Sequence, residues 1–487
     1  MPEKRVVIIG SGLGGLAAGI RLQAKGYRTV LLERNDQPGG RASVLRDGGF
    51  TFDIGPTVIT APFLLEELFT LAGRRMADEI TMTPCKPFYR IYLHDGSTFD
   101  YGGSEEEVMR EIRRFSVEDA ARYPSFARKA REFCDRAFLQ LADQPFFHFT
   151  DMLKVAPDLA RLRADRSVYA LVSSHFKHPL LRQVFSFNPL LIGGNPFRVS
   201  AIYSMIHHLE REWGMHYVQG GTNRLVSALA GLYQSMGGDL RLDSAATRIR
   251  VENGSVTGVD SVRGDFFPAT RVISNADVAN TYRKLIDPSA RRKWTDRKVE
   301  RMDYSMGLFL MTFGTNRKYP DLAHHSIFLS EEYRRLITDI FDRKVLPPDP
   351  SLYLHAPSRS DETVAPPGHD AFYVLAPVPH LEAEIDWEKE KEAFAEGIFK
   401  ILEKVCPGLR SHVVVRSLMT PADFERRFDS YLGAGFQFEP TLLQSAWFRP
   451  HNKSEDVEGL YFAGAGTHPG AGIPGVLCSA KLLEKLF

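Results

Sequence analysis

Gly10, Gly12 and Gly15 stand in a G-x-G-x-x-G pattern, directly after the apolar run 5–9 and at the head of a second apolar run, 16–25. In that context each glycine has a task. The first permits a tight turn, the second lets the backbone approach a pyrophosphate, and the third lets a helix pack closely on its strand. The helix that follows offers unpaired N–H groups and the positive end of its dipole to the phosphates. Ser11, Leu13 and Gly14 complete the turn. Glu33 closes the next apolar run, 28–33, where an acid roughly 20 residues on accepts a hydrogen bond from a ribose hydroxyl. This spacing predicts dinucleotide binding.

Further clusters choose the dinucleotide. Gly39, Gly40 and Arg41 follow the ribose-binding strand in DQPGGR, 36–41, a feature of FAD-binding members of the two-dinucleotide fold rather than of NAD dehydrogenases. Near the C-terminus, GLYFAGAGTHPGAGIPGV, 459–476, reads as a strand, a Gly-rich turn and a final helix over 475–487, with Pro474 near the first-turn position where proline is tolerated. Such a helix aims its N-terminus at the pyrimidine side of a flavin, where negative charge gathers on two-electron reduction. Gly464, Ala465, Gly466, Gly472, Ile473, Pro474, Gly475 and Val476 are therefore candidate flavin contacts, and FAD is the expected cofactor. Asn275 and Asp277, at the end of the strand in VISNAD, 272–277, either line the flavin or cap the next helix. His468 lies in the C-terminal turn, where a structural hydrogen bond is its expected role.

These residues need a βαβ unit to position them: strand 5–9, the glycine turn 10–15, helix 16–25 closed by Gly26, and strand 28–33. The chain of 487 residues is too long for one core. From about 105 to 213 the pattern is helical and rich in phenylalanine; 240–273 alternates like a small meander, with turns at Asn253-Gly254 and Arg263-Gly264, before a strand that rejoins the first sheet. Residues 300–420 mix strands (306–313, 351–355, 371–376) with helices (331–341, 388–406), and the Pro/Gly-rich stretch 356–368 reads as a surface loop.

Lys plus Arg (61) nearly balances Asp plus Glu (60), so no overall field favours nucleic acid. The chain is 44% hydrophobic and 25% charged, as soluble globular proteins are. Cys85, Cys134, Cys406 and Cys478 show no C-x-x-C spacing, which predicts buried reduced thiols and no metal. The uncharged run 6–20 is the glycine turn and its helix rather than an export signal. The uncharged run 460–480 is broken by Gly464, Gly466, Pro469, Gly470, Gly472, Pro474 and Gly475, and backbone that irregular cannot satisfy itself in lipid, so no membrane span is predicted.

The motifs, with longer strings between them, resemble the bacterial and fungal-type phytoene desaturases, the FAD-dependent carotenoid dehydrogenases of the amine-oxidase-like flavoprotein superfamily. The more specific strings are GGRA (39–42), GFTFDIGPTVIT (49–60), GGNPF (193–197), EREWG (210–214), GGT (220–222), SNAD (274–277), LHAP (354–357), LAPVPH (375–380) and GAGTHPGAGIPG (464–475). The resemblance covers essentially the whole chain. It implies an α/β fold: a discontinuous Rossmann-like FAD-binding domain (1–88, 217–290, 440–487), a mixed-sheet substrate domain (89–112, 291–439) and a helical, membrane-facing subdomain (113–216). It adds Arg34, Gly55, Pro56, Thr57 and Ala246 to the expected cofactor contacts.

The resemblance also implies a reaction: successive desaturation of 15-cis-phytoene toward lycopene, with electrons passing from FAD to quinone or oxygen. It implies a cytoplasmic enzyme, peripheral on the inner face of the cell membrane. A hydrocarbon substrate offers no polar handle, so recognition must come from a long apolar channel, which the Phe-rich section suits, although any single Phe is more often ordinary core. Each desaturation removes two electrons with one hydrogen, and a proton from the adjacent carbon; a base or the flavin takes the proton. Asp151 and Lys154 in FTDMLK (149–154) align with an Asp…Arg pair suggested as acid and base in similar enzymes. Lysine cannot supply arginine's bidentate geometry, and Asp151 also stands where a helix cap belongs. Related carotenoid oxidoreductases (a diapophytoene or hydroxyneurosporene desaturase, or a ketolase) share the flavin motifs. More distant readings are a flavin amine oxidase, which needs an aromatic cage for its cation, and an isoprenoid carrier, which has no use for a helix that tunes a flavin.

Overall fold

The structure, a computed structural model, describes residues 5–487. Strand Arg5–Ile9 is buried along nearly its whole length, as a strand covered by helices on both faces must be. It lies at the centre of a five-stranded sheet in the order Leu460–Phe462, Arg271–Ser274, Arg5–Ile9, Arg28–Leu32, Asp239–Arg241. Every pairing is parallel, with Ile8 between Ile273 and Leu31. The sheet therefore draws on both ends of the chain and on its middle.

Helix Leu13–Ala24 makes the crossover between the first two strands and packs on the C-terminal helix Ile473–Leu483 and on helix Thr222–Ser235. A Cβ on Gly15 would overlap the carbonyl oxygen of Gly10, so turn and helix close on one another only with glycine there. Arg21 of this helix is 1% exposed and is held by Glu484 at 2.8 Å and Glu67 at 3.2 Å. Without them the buried cation would cost on the order of several kcal/mol.

Strands Ala246–Glu252 and Ser255–Ser261 are joined by Asn253 and Gly254, whose φ values of 51° and 80° give the type I′ turn that suits hairpin twist. Phe266–Pro268 completes this meander and the chain returns to the parallel sheet at Arg271–Ser274.

A second, seven-stranded sheet runs Val413–Met419, Gly307–Thr315, Asp370–Val378, Leu352–His355, His325–Phe328, Tyr89–Tyr92, Thr98–Tyr101. It is antiparallel except where His325–Phe328 meets Tyr89–Tyr92. Side-chain alternation divides its strand Gly307–Thr315. Phe309, Met311 and Phe313 pack in the core with helix Trp387–Leu402, while Leu308 and Leu310 join a separate cluster with Tyr373. The predicted helix 331–341 forms only as Tyr333–Thr338, continued by a wider turn, Asp339–Arg343.

After strand Thr98–Tyr101 the chain runs through helices Glu105–Arg113, Val117–Phe133, Phe149–Leu162, Val168–His175, Pro179–Ser186 and Met205–Trp213. Phe126, Phe133, Phe176, Phe185 and Phe187 pack in one core with Tyr89, Phe99 and Tyr101 of the seven-stranded sheet, with Phe176 stacked on Phe185 at 4.5 Å. The Phe-rich section does border the cavity described below, but through aliphatic residues such as Leu190, Ile192 and Leu209; of its phenylalanines only Phe138 does so, which corrects the expectation that the aromatics form the wall. The stretch 356–368 is also more than a surface loop. Its Asp361 is buried and accepts hydrogen bonds from the Tyr217 hydroxyl at 3.0 Å and the Gly220 N–H at 2.6 Å. Among the described residues no helix is long and apolar enough to cross a membrane. All four cysteines are buried and free.

Candidate active site

At the carboxyl ends of the parallel strands, where open α/β sheets bind their ligands, lies a cavity of about 760 Å³. Most residues singled out in the sequence border it: Gly10, Gly12, Leu13, Gly14, Glu33, Arg34, Gly39, Gly40, Arg41, Gly55, Pro56, Thr57, Ala246, Asn275, Asp277, Gly464, Ala465, Gly472, Ile473, Pro474, Gly475 and Val476. Ser11, Gly15 and Gly466 stand behind the wall. Gly15 lies under the Gly10 carbonyl, and Gly466 packs against Gln437 and Val278.

Two helices whose N-termini reach the cavity beside the glycine turns, Leu13–Ala24 and Ile473–Leu483, share a feature. Each starts after a glycine, Gly12 or Gly472, with no side-chain cap and no acid in its first turn. Their first N–H groups and dipole ends are thus left to an anionic ligand.

Glu33 is buried, and its carboxylate braces the turn. One oxygen accepts from the Ser11 N–H at 2.9 Å and hydroxyl at 2.6 Å, and the other from Asn35 N–H at 3.0 Å. Asn275 Nδ2 donates to the Gly10 carbonyl at 3.2 Å. Asp277 takes both roles left open by the sequence: it lines the cavity and caps the short helix after it, accepting from Asn280 N–H at 3.2 Å. Burial holds the Asp277 carboxyl above the ordinary carboxylate range, although Arg41 stands 3.8 Å away and opposes the shift. The remaining charges at this end are also matched, with Asp429 2.6 Å from Lys284 and 3.9 Å from Arg34.

The other end is aliphatic, walled by Leu190, Leu191, Ile192, Met205, Ile206 and Leu209 among others. Its one acid among the lining residues is Glu210, 1% exposed. Glu210 accepts from the Tyr89 hydroxyl at 2.9 Å and from Asn188 Nδ2 at 3.3 Å. Burial pushes it up to about 8. The sequence reading gave it no role, yet a signal was present: Met205, Ile206, Leu209 and Glu210 have the spacing of a single helix face. Tyr353 borders the cavity too, its hydroxyl shared between Thr57 Oγ1 at 2.6 Å and His325 Nδ1 at 2.7 Å.

A family profile for flavin containing amine oxidoreductase matches residues 13–482. Among curated proteins, phytoene desaturase (lycopene-forming) from Pseudescherichia vulneris is 48% identical over 99% of both chains, and that from Pantoea ananas is 45% identical over 99% of both. This chain belongs to the flavin-containing amine oxidoreductases, in their phytoene desaturase branch. An oxidoreductase from Methanosarcina mazei shares the fold alone, with a TM-score of 0.64 at 18% identity over 98% of each chain.

FAD is the cofactor of this flavin oxidoreductase, and the residues present fit it. The uncapped helix ends can receive its pyrophosphate and reduced ring, and the glycine backbone of both turns leaves room for close approach. Asp151 and Lys154 do not border the desaturase cavity, which corrects the acid/base expectation for them. Asp151 accepts from the His148 N–H at 3.1 Å at the start of helix Phe149–Leu162, and Lys154, with its side chain 75% exposed, pairs with it at 3.1 Å. Their spacing serves a helix end because residues three apart meet on one helix face.

His468 is buried, and burial pushes it down to about 4, so the ring is neutral. Its Nε2 bonds the Leu141 carbonyl at 3.0 Å. Cys85, His324 and His325 bring ligand-type atoms within 4.8 Å of one another, a cluster invisible in the cysteine spacing. His324 already bonds Ser360 at 2.9 Å and His355 at 3.0 Å through its two ring nitrogens, as a hydrogen-bonded core does.

Proposed function

We propose that this protein is an FAD-dependent phytoene desaturase that introduces successive double bonds into 15-cis-phytoene toward lycopene, working at a membrane surface. One observation carries the reading: the FAD cradle and an aliphatic chamber are parts of one cavity. A hydrocarbon can be held there only by shape and apolar burial, worth ~25 cal/mol per Å². When bound, FAD supplies the two-electron oxidation. The protein holds the reacting carbons against the cradle, keeps water out with its aliphatic walls, and stabilises negative charge on the cofactor through the uncapped N-terminus of helix Ile473–Leu483.

Delivery of such a substrate calls for a lipid-facing mouth, and the surface supports one. Leu139, Phe149, Leu153 and Leu443 are 50%, 51%, 57% and 71% exposed. Phe149 packs edge-on to Trp447 at 5.2 Å. Chain neighbours of this patch border the cavity: Ala137 and Phe138 beside Leu139, and Pro440 before Leu442 and Leu443. Lys154 and Arg161, with side chains 75% and 74% exposed, are paired with Asp151 and Asp158 on the same helix, so the patch would meet lipid chiefly through its apolar side chains. This surface rests on the inner face of the cell membrane, and electrons leave to a quinone or to oxygen.

The test is incubation of FAD-loaded protein with phytoene in liposomes and a quinone, followed by chromatography of the pigments. Lycopene is the expected product. Peroxide release with soluble amines and no change in phytoene would replace this reading with amine oxidation.

A further inference from the structure

We propose that Glu210 accepts the proton released in each desaturation, held in place by Tyr89 and Asn188. The inference rests on the desaturase reading and deepens it. Desaturation takes two electrons and one hydrogen from one carbon to FAD, and a proton from its neighbour. The neighbouring C–H bond breaks, its electron pair becomes the new π bond, and the proton must form a bond to a base.

The lining of the cavity offers few acids for that task. Glu33 is engaged by Ser11 and Asn35, Asp277 stands by Arg41, and Asp429 by Lys284. All border the cradle, where the cofactor's own groups must go. Glu210 alone borders the aliphatic chamber, where the hydrocarbon must go. Its carboxylate is held by two neutral donors, at 2.9 Å from the Tyr89 hydroxyl and 3.3 Å from Asn188 Nδ2. Among the described residues no cation is paired with it, so it is free to change charge during turnover.

The titratable groups around it stay neutral over the same range. Tyr89 and Tyr101 from the sheet edge and Tyr353 from strand Leu352–His355 are held well above the usual tyrosine range by burial. His207 on the same helix and His325 opposite are held well below the usual histidine range, again by burial. Arg211, next along the helix, lies over the Tyr123 ring at 5.7 Å. Burial places Glu210 itself at about 8, so its anionic form is a usable fraction near neutrality and a basic one.

Glu210→Gln keeps the side chain's shape and removes its ability to take a proton. In the FAD-loaded enzyme with phytoene liposomes, wild-type kcat should rise with pH and level off above about 8. Glu210→Gln should lose roughly 100-fold or more in kcat, with KM little changed and the rise with pH gone. Independently of FAD, infrared titration of the apoprotein should show a protonated-carboxyl band lost near pH 8, absent from Glu210→Gln. Tyr89→Phe, which removes one donor to the anion, should move both midpoints to higher pH and serves if Glu210→Gln does not fold. Unchanged kcat and pH profile in Glu210→Gln, with the wild type active, would overturn the assignment alone. A wild type that leaves phytoene untouched would overturn the desaturase reading and this inference with it. A carboxyl band insensitive to the substitution would refute the titration whichever way activity falls.

Discussion

Asn275 Nδ2 donates to the Gly10 carbonyl oxygen at 3.2 Å, and a Cβ placed on Gly464 would come within 2.7 Å of the Asn275 side-chain oxygen. One amide thus sits between the glycine turn that begins the chain and the one that ends it. Replacing Asn275 by Ala removes the bond and the wedge while leaving both turns intact. A bond of this kind is worth about 1 kcal/mol, so FAD affinity should fall roughly 5- to 10-fold in a fluorescence titration. Unaltered affinity would show that the turns hold their spacing without it.

Glu33 gives a larger effect. Its carboxylate accepts from Ser11 and Asn35, and bonds to a charged group are worth about 1.5–3 kcal/mol each way they are lost. Glu33→Ala should lower the apoprotein's Tm by several degrees and weaken FAD binding, because the donors at Ser11 are left buried and unpaired. Calorimetry of the apoprotein separates the two losses; a variant as stable as wild type would remove Glu33 from the bracing of the turn.

Asp151 and Lys154 give the opposite expectation. Both lie off the cavity on helix Phe149–Leu162, and Asp151 bonds only the first turn and Lys154 among the bonds described. Asp151→Asn should leave kcat within about twofold and cost no more than about 1 kcal/mol of stability. A loss of two orders of magnitude in kcat, with the fold intact, would restore the pair as acid and base.

Glu210 links burial to the pH dependence of stability. Its folded value of about 8 lies above that of an exposed glutamate, ~4.3. Between those values the folded state binds the extra proton, so stability falls as pH rises, by about 1 kcal/mol per pH unit, and the fall ends near 8. The difference in unfolding free energy between wild type and Glu210→Gln, measured from pH 6 to 9, should carry that slope and then flatten. A pH-independent difference would place the carboxyl in a wetter setting than its burial implies.

The glycine motifs were legible because their meaning is local: a strand, a turn and a helix start lie within a few residues of one another, and the chemistry follows from backbone approach. The discontinuous parallel sheet was legible in part, since the strand at Arg271–Ser274 follows a readable hairpin. What depends on packing was not. Phe126, Phe176 and Phe185 have the composition of a channel wall and the position of a core, and only the helix arrangement decides between them. Glu210 was quoted within EREWG without a role, because its isolation in an aliphatic chamber arises from contacts with residues far away in sequence, Tyr89 and Asn188. Asp361, inside a Pro/Gly-rich stretch, was hidden for the same reason.

The exposed apolar patch is tested separately from catalysis. Leu443→Asp combined with Phe149→Ser should abolish flotation with anionic liposomes while leaving FAD binding unchanged, since both side chains are at least half exposed. Flotation equal to wild type would move the membrane contact to another face.

The central claim is that one cavity joins the flavin to a hydrocarbon chamber, and the most direct measurement is anaerobic mixing of the FAD-loaded protein with phytoene in liposomes while the flavin absorbance is followed. Bleaching of the oxidised flavin with the appearance of a lengthened polyene chromophore is the expected result. A flavin that stays oxidised with phytoene present, and is bleached instead by a soluble amine, would contradict it.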